Sequence, residues 1–346
     1  MSQHHEWGWM VVVYLYFGGL GAGSVMLSGL AHLTKREHFR GIARTGAIVA
    51  PIFVGLGCAL LLFDLGRPWQ FWRLFTHINP VSPMSLGSWF LVIFSVISMV
   101  YALFYMPPSW ARFFAKFPII SGIFKKFEAW NEPSAEKDEQ GNWVKGLIDN
   151  PFPNSPNWVS STRNFLAFIM IPLGVAVGIY TGILLGAIPA RPFWNTPMVA
   201  QLFLFSALSA STGLLFLLVP LLWKGSDRHV HREHRVLLTA DLIFIIVEFF
   251  IILPFIIHAQ LSTHSTRVAM EMILGGPYTQ IFWIGVVLLG ILIPMVLEFG
   301  DFFGWFKVLP KSMAKFLHLA VAILILIGGY LLRWVFVHAG QDTHFL

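Results

Sequence analysis

The chain has 346 residues, 56% of them hydrophobic and only 12% charged, with a mean hydropathy of +0.70; a soluble domain carries about a quarter charged residues, so a soluble globular protein is excluded. The formal charge of +6 comes from lysines and arginines in short segments between apolar runs, which argues for membrane orientation and against nucleic-acid binding. The single cysteine, Cys58, sits inside an apolar run, which excludes an internal disulfide and is too few to hold an iron–sulfur cluster.

In chain order, runs long enough to cross a bilayer fall at 8–33, 45–63, 86–106, 164–187, 197–223, 236–258, 280–300 and 313–337. Lipid offers backbone groups no partner, so each run is predicted to be a helix. The expected fold is therefore all-α: a polytopic membrane protein of eight transmembrane helices in bundles, one integral membrane domain over 1–346. "MSQHHEWGW" lacks a basic n-region, so the first run is expected to stay as a helix and not be cleaved as a signal. It continues as "WGWMVVVYLYFGGLGAGS", where Gly19 and Gly23 have a spacing that lets helix backbones approach. Helix 1 is thus expected inside a bundle, with Tyr14 facing protein. The second run ends in "DLGRP", so Asp64 and Arg67 arrive where the helix should leave the bilayer. The two read either as a local ion pair at a helix end or as part of a site. "NPVSPMSLGSW", rich in turn formers, is expected to form a re-entrant turn lined by Ser82 and Ser85.

Residues 107–163 form an insertion between helices 3 and 4. Its basic, aromatic start suits a surface-lying segment, and its middle, "NEPSAEKDEQGN", reads as a solvated loop without chemistry. Helix 4 leaves through "GIYTGILLGAIPARPFW", which carries Tyr180, Arg191 and Trp194. Helix 6 holds Asp241 and Glu248, seven residues apart and on nearly the same face. Helix 7 ends with Glu298 and Asp301. Ionisable groups at such depth are costly and face a bundle interior. Asp241, Glu248 and Glu298 read either as part of a proton path or as groups hydrogen-bonded between helices.

Most of the 23 lysines and arginines fall in the segments after helices 1, 3, 5 and 7, among them Lys35, Arg36, Arg40, Arg44, Lys307, Lys311 and Lys315. The other side holds only Arg67, Arg73, Arg191 and Arg267. The positive-inside rule puts the first side, with the 107–163 insertion, in the cytoplasm, and both termini and "DLGRP" outside, in the periplasm. At about 1.5 Å per helical residue, Tyr14 and Tyr180 each lie roughly 9–12 Å below the outer boundary. They are expected to face one shallow pocket with Asp64 and Arg67 at its rim.

The stretches "WGWMVVVYLYFGGLGAGS", "DLGRPWQFWRLF", "SPMSLGSW", "YTGILLGAIPARPFW" and "LLRWVFVHAGQ" occur in this order between Trp7 and Gln341. They resemble the NrfD/PsrC family, the membrane subunits of polysulfide-reductase-type complexes. The resemblance implies an eight-helix subunit of the bacterial inner membrane that binds a quinone, menaquinone or ubiquinone, near the periplasmic face. It implies electron exchange with a periplasmic four-cluster-type iron–sulfur subunit, and through it a molybdopterin or other catalytic subunit. It implies no haem or iron–sulfur cluster in this protein. By motif position Tyr180 matches a tyrosine that binds a quinone carbonyl oxygen, whereas Tyr14 stands where some members place a histidine. The 107–163 insertion is longer than in compact members.

A quinone head needs an apolar slot, a donor at each carbonyl and a titratable group that reaches water. On this reading Tyr14 and Tyr180 contact the carbonyls, Asp64 relays protons and Arg67 holds Asp64. His77 is a second titratable candidate, Ser82 lines the pocket, and Arg191 and Trp194 frame its opening. No metal site is expected. Two rival readings are a di-haem quinol subunit, with His32 paired to His318 or His258 to His338, and a transporter or channel whose Gly- and Pro-containing helices act as gates.

Overall fold

The computed structural model describes residues 8–34, 39–64, 68–70, 72, 82–106, 108–117, 121–122, 124–126, 135–137, 143–145, 156–222, 227–305 and 309–343. Its helices are α1 (Trp9–Leu33), α2 (Arg40–Asp64), α3 (Pro83–Leu103), α4 (Pro108–Phe114), α5 (Asn157–Gly186), α6 (Met198–Leu222), α7 (Asp227–Leu261), α8 (His264–Leu274), α9 (Ile281–Phe302) and α10 (Lys311–Asp342). Among the described residues eight helices are long and apolar enough to cross a membrane: α1, α2, α3, α5, α6, α7, α9 and α10. Each lies on a predicted run. The protein is a polytopic, helical membrane protein.

The differences from expectation have local causes. "SPMSLGSW" is not a re-entrant turn: Ser82 is the extended N-cap of α3, with φ −89° and ψ 116°, and Pro83 opens the helix. Proline suits that position because its φ is preset and its missing N–H would have no helical partner there. The Leu86 amide closes the first turn on the Ser82 carbonyl at 3.1 Å. Helix α8 falls in a stretch expected to be loop. Thr263 caps it, its Oγ1 accepting from the Thr266 amide at 3.4 Å. Ala269, Met270 and Ile273 are its buried face, packed in the core formed with α7, α9 and α10. In the insertion, α4 is followed by a two-stranded antiparallel ribbon, β1 (Ala135–Lys137) with β2 (Trp143–Lys145), in register Glu136↔Val144. The rest of the insertion up to Ser155 lies largely outside the described residues, and α5 already begins at Asn157. The first half of α9, Ile281–Leu292, is π-helical, and it tightens to an α-helix at Ile293, just before Pro294.

Two cores divide the transmembrane helices into two bundles. Ala22, Ala47, Phe94 and Ala167 belong to a core built chiefly by α1, α2, α3 and α5, which Leu215 and Val219 of α6 and Leu237 of α7 join. Phe203, Ile245, Phe282 and Phe336 belong to one shared by α6, α7, α9 and α10. Helix α1 is the seam between them, which is why most of it is buried whereas α3 mostly faces outward. Bilayers provide no hydrophobic drive between helices, so close backbone packing has to do the joining. Gly23 is where that happens: a Cβ there would lie 2.7 Å from the Ala207 carbonyl of α6. Beside it, Ser211 Oγ donates to the Leu20 carbonyl at 2.9 Å. The bundles are joined again by Glu233 of α7, whose Oε1 accepts from the Gly41 amide at 2.6 Å in the first turn of α2.

Candidate functional site

One face of the molecule carries the start of α1, the α5–α6 connection and the end of α10. Its first-bundle corner holds three of the residues singled out from the sequence. Tyr14 on α1 lies within electrostatic reach of both Tyr180 on α5 and Asp64 at the end of α2. All three are partly buried. Helix α2 lies against α1 here: a Cβ at Gly57 would sit 3.4 Å from the Tyr14 carbonyl and 3.5 Å from Phe17 Cβ. Helix α3 closes the corner with Gly87, and any Cβ at that position would occupy the Tyr180 phenol ring. Glycine is therefore required at 87 for Tyr180 to lie between α5 and α3. Ser82 stands at the same end of α3, partly buried. Arg67 and His77 lie outside the described residues.

Arg191 and Trp194 meet the end of α10. Arg191 donates to the Gly340 carbonyl at 3.3 Å and to the Gln341 carbonyl, and its guanidinium lies 5.7 Å from the Trp194 ring centroid. Trp194, 2% exposed, donates through Nε1 to the Phe336 carbonyl at 2.6 Å, and its indole fills the space a side chain at Gly340 would take. The two residues clamp the α5–α6 connection onto α10, so this edge of the face is held rigidly.

The second bundle contains a buried line of ionisable groups. At the opposite face His318 Nε2 and Asp301 Oδ2 pair at 3.0 Å. Next inward, Glu298 lies beside Asp241, with Ser209 close by. Among the described residues neither oxygen of Asp241 has a hydrogen-bond partner of normal geometry, and neither does Glu298 Oε2. A narrow cavity of about 10 Å³, room for about one water, lies along this stretch, lined by Asp241, Glu298, Asp301, His318 and Phe216 among others. Further in, Glu248 is next to Ser206 and within reach of Arg333. Arg333 is 1% exposed and donates to Ser206 Oγ at 3.2 Å, the Gly329 carbonyl at 2.7 Å and the Phe203 carbonyl at 3.3 Å. Its guanidinium lies 5.5 Å from the Tyr16 ring. Tyr16 returns the line to α1, its hydroxyl donating to the Leu326 carbonyl at 2.9 Å. The structure thus places Asp241, Glu248 and Glu298 together, apart from the Tyr14–Asp64–Tyr180 corner, with α1 between the two groups.

Several polar residues escape a reading of the sequence. Arg333 does carry a signal, a lone cation in an apolar run. The first bundle holds a series in which Ser28 Oγ meets Tyr101 Oη at 3.2 Å, Tyr101 donates to Tyr105 at 3.3 Å, Tyr105 meets His32 Nδ1 at 2.6 Å, and His32 Nε2 meets Asn164 Oδ1 at 2.7 Å. These contacts link α1, α3, its C-terminal end and α5, and no sequence spacing announces them. They also assign His32 to the first bundle and His318 to the second, each with side-chain partners in its own bundle. His338 is stacked on Trp334 at 4.4 Å, and His258 is exposed.

Comparison with known proteins agrees with this architecture. The family described as "Polysulphide reductase, NrfD" matches residues 1–344. The sequence is 30% identical to a polysulfide reductase chain of Wolinella succinogenes, over 97% of the present protein and 94% of that one. It is 28% identical to protein NrfD of Escherichia coli, over 97% and 95%. It is 26% identical to a selenate reductase subunit of Mesobacillus selenatarsenatis, over 97% and 74%. With eight membrane-length helices and a family match that spans nearly its whole length, the chain is a multi-pass integral membrane protein that belongs to the NrfD polysulphide reductase family.

Proposed function

We propose that this protein is the quinone-reactive membrane subunit of a respiratory oxidoreductase complex, with its quinone site at the corner formed by Tyr14, Asp64 and Tyr180. The observation that carries the reading is the convergence of two phenols and a carboxyl from three helices at one end of the first bundle. That donor set fits a planar head with two carbonyl oxygens: phenol O–H groups donate, and a carboxyl exchanges protons with water. A quinone, when bound, supplies the two-electron, two-proton chemistry. Tyr180, backed by Gly87, is held to donate at one carbonyl, and Tyr14 donates at the other. Asp64, at the helix end, passes protons between the pocket and solvent. The distribution of lysine and arginine supports an outer, periplasmic position for this corner.

Relatives named as parts of polysulfide and selenate reductases support a division of labour. Catalysis at the terminal substrate belongs to another subunit, and electrons reach it through an iron–sulfur protein docked on the outer face. The rigid clamp of Arg191 and Trp194 on α10 suits the edge of such a dock. The acid line in the second bundle serves as a proton path from the cytoplasmic face, through Glu298, Asp241 and Glu248 to Arg333, with α1 linking it to the quinone corner.

The test is quinol-linked turnover in the assembled complex. Tyr180→Phe and Asp64→Asn are each expected to lower it about 10–100-fold, as expected for loss of one hydrogen bond or proton relay at a buried site. Full turnover in both variants, with normal assembly, overturns the site.

A further inference from the structure

We propose that His234, Asp301 and His318 form a binding site for a divalent first-row transition-metal ion at the positively charged-loop end of the second bundle. Each residue comes from a different helix, α7, α9 and α10. One ligand atom from each lies within 4.8 Å of the other two. His318 Nε2 and Asp301 Oδ2 are already 3.0 Å apart, and the two imidazoles meet edge to face with centroids 4.2 Å apart.

The geometry is close to what a metal requires. A zinc-like ion binds imidazole nitrogen at about 2.0–2.1 Å and carboxylate oxygen at about 2.0–2.2 Å, so tetrahedral ligand atoms sit ~3.4 Å apart. The present separations close to that value by small side-chain rotations. An ion pair between His318 and Asp301 accounts for two of the three residues. It does not account for a second imidazole converging on the same carboxylate. His234 is fixed there by Phe216, whose ring centroid is 4.2 Å away, and helices on three sides make the set rigid.

Two neutral imidazoles and one carboxylate form a site of net charge −1, which favours a dication. The nitrogen donors select zinc, cobalt, nickel or ferrous ions over magnesium and calcium, which prefer oxygen. Three protein ligands leave a further coordination position, and here the narrow cavity of about 10 Å³ begins, because Asp301 and His318 are also in its lining. Glu298 stands in the same lining, with 6% exposure and an Oε2 that has no hydrogen-bond partner. A metal with an open position toward that cavity would hold a water on the side of Glu298, whose Oε2 could accept from it. The proposal is independent of the quinone corner, which lies at the other end of the molecule.

The test uses the full-length protein in detergent, stripped with a chelator and titrated with Zn²⁺ against a chromophoric competitor. The expected result is one equivalent of Zn²⁺ bound, with affinity reduced at least about tenfold in each of His234→Ala, His318→Ala and Asp301→Asn. His264→Ala, at the exposed start of α8, should bind as the parent does. Zn²⁺ should raise the thermal midpoint of the parent and of His264→Ala and leave that of the three site variants unmoved, provided each is folded by its midpoint in chelator. Co²⁺ in place of Zn²⁺ should give visible ligand-field bands that the site variants lack. No stoichiometric Zn²⁺ in the parent, or equal affinity in the parent and a folded Asp301→Asn variant, overturns the proposal.

Discussion

The two bundles each hold a buried polar assembly, and they are built on different terms. In the first, Ser28, Tyr101, Tyr105, His32 and Asn164 hand hydrogen bonds from one to the next. Hydroxyl, imidazole and amide groups both donate and accept, so such a series can close on itself. Arg163 is the open member, with Nε and Nη1 lacking hydrogen-bond partners among the described residues while its guanidinium lies 5.9 Å from the Tyr105 ring. In the second bundle the line between His318 and Arg333 is mostly carboxyls, which only accept when ionised. Asp241 and Glu298 stand side by side with unmatched oxygens, next to a cavity. Buried polar groups left unmatched cost stability, typically about 1–3 kcal/mol each. A closed network contributes rigidity, whereas an open line of acids in a membrane bundle is the arrangement associated with moving charge. The first assembly is therefore read as scaffolding, and the second is the one to test for the proposed proton path.

Substitutions can break that assignment. The largest effect is expected from Arg333→Met, which leaves Glu248 without its cation and removes three hydrogen bonds. Unfolding in detergent should show a loss of about 3–5 kcal/mol, and the added change Glu248→Gln should recover part of it. No recovery in the double variant would mean that the two residues are not partners. Next, His32→Ala strands Tyr105 and Asn164 and should cost about 2 kcal/mol in the same measurement, while quinol turnover per folded complex stays at the parental value. Glu248→Gln, which leaves Arg333 its three hydrogen bonds, is expected to cost less stability than Arg333→Met and to lower charge movement per turnover roughly tenfold in liposomes. Equal charge movement in the parent and the variant would sink the proton-path reading. The smallest change is Tyr105→Phe, about 1 kcal/mol of stability and no change in charge movement. If Tyr105→Phe cut charge movement as Glu248→Gln does, the first assembly would be a path as well.

Residues differ in how legible they are in the sequence alone. Tyr14, Asp64 and Tyr180 are predicted to meet because depth and side can be counted along helices, and the structure brings them within electrostatic reach. Asp241 and Glu248 announce their burial by being acids in apolar runs, and both are buried. Ser82 reads as part of a re-entrant turn and is instead a helix cap, because turn-forming residues also start helices and only the backbone shows which. Helix α8 escapes detection because it is short and only half apolar, so no membrane-length run reveals it. His234 and His318 carry no signal that they share a carboxylate, since they are far apart in sequence and lie on different helices.

The sequence by itself determined the class of this protein: apolar length sets eight helices, charge asymmetry predicts their direction, and motif order points to the family. Those properties are one-dimensional, because a bilayer demands about twenty apolar residues per crossing whatever the neighbours are. Only the tertiary structure decided which helix faces which. It made α1 the seam through Gly23, gave Arg333 its partners, seated Tyr180 against Gly87 and brought His234 to Asp301 and His318. Helix rotation and pairing depend on how small and large side chains interlock between segments distant in sequence, and no single segment contains that information.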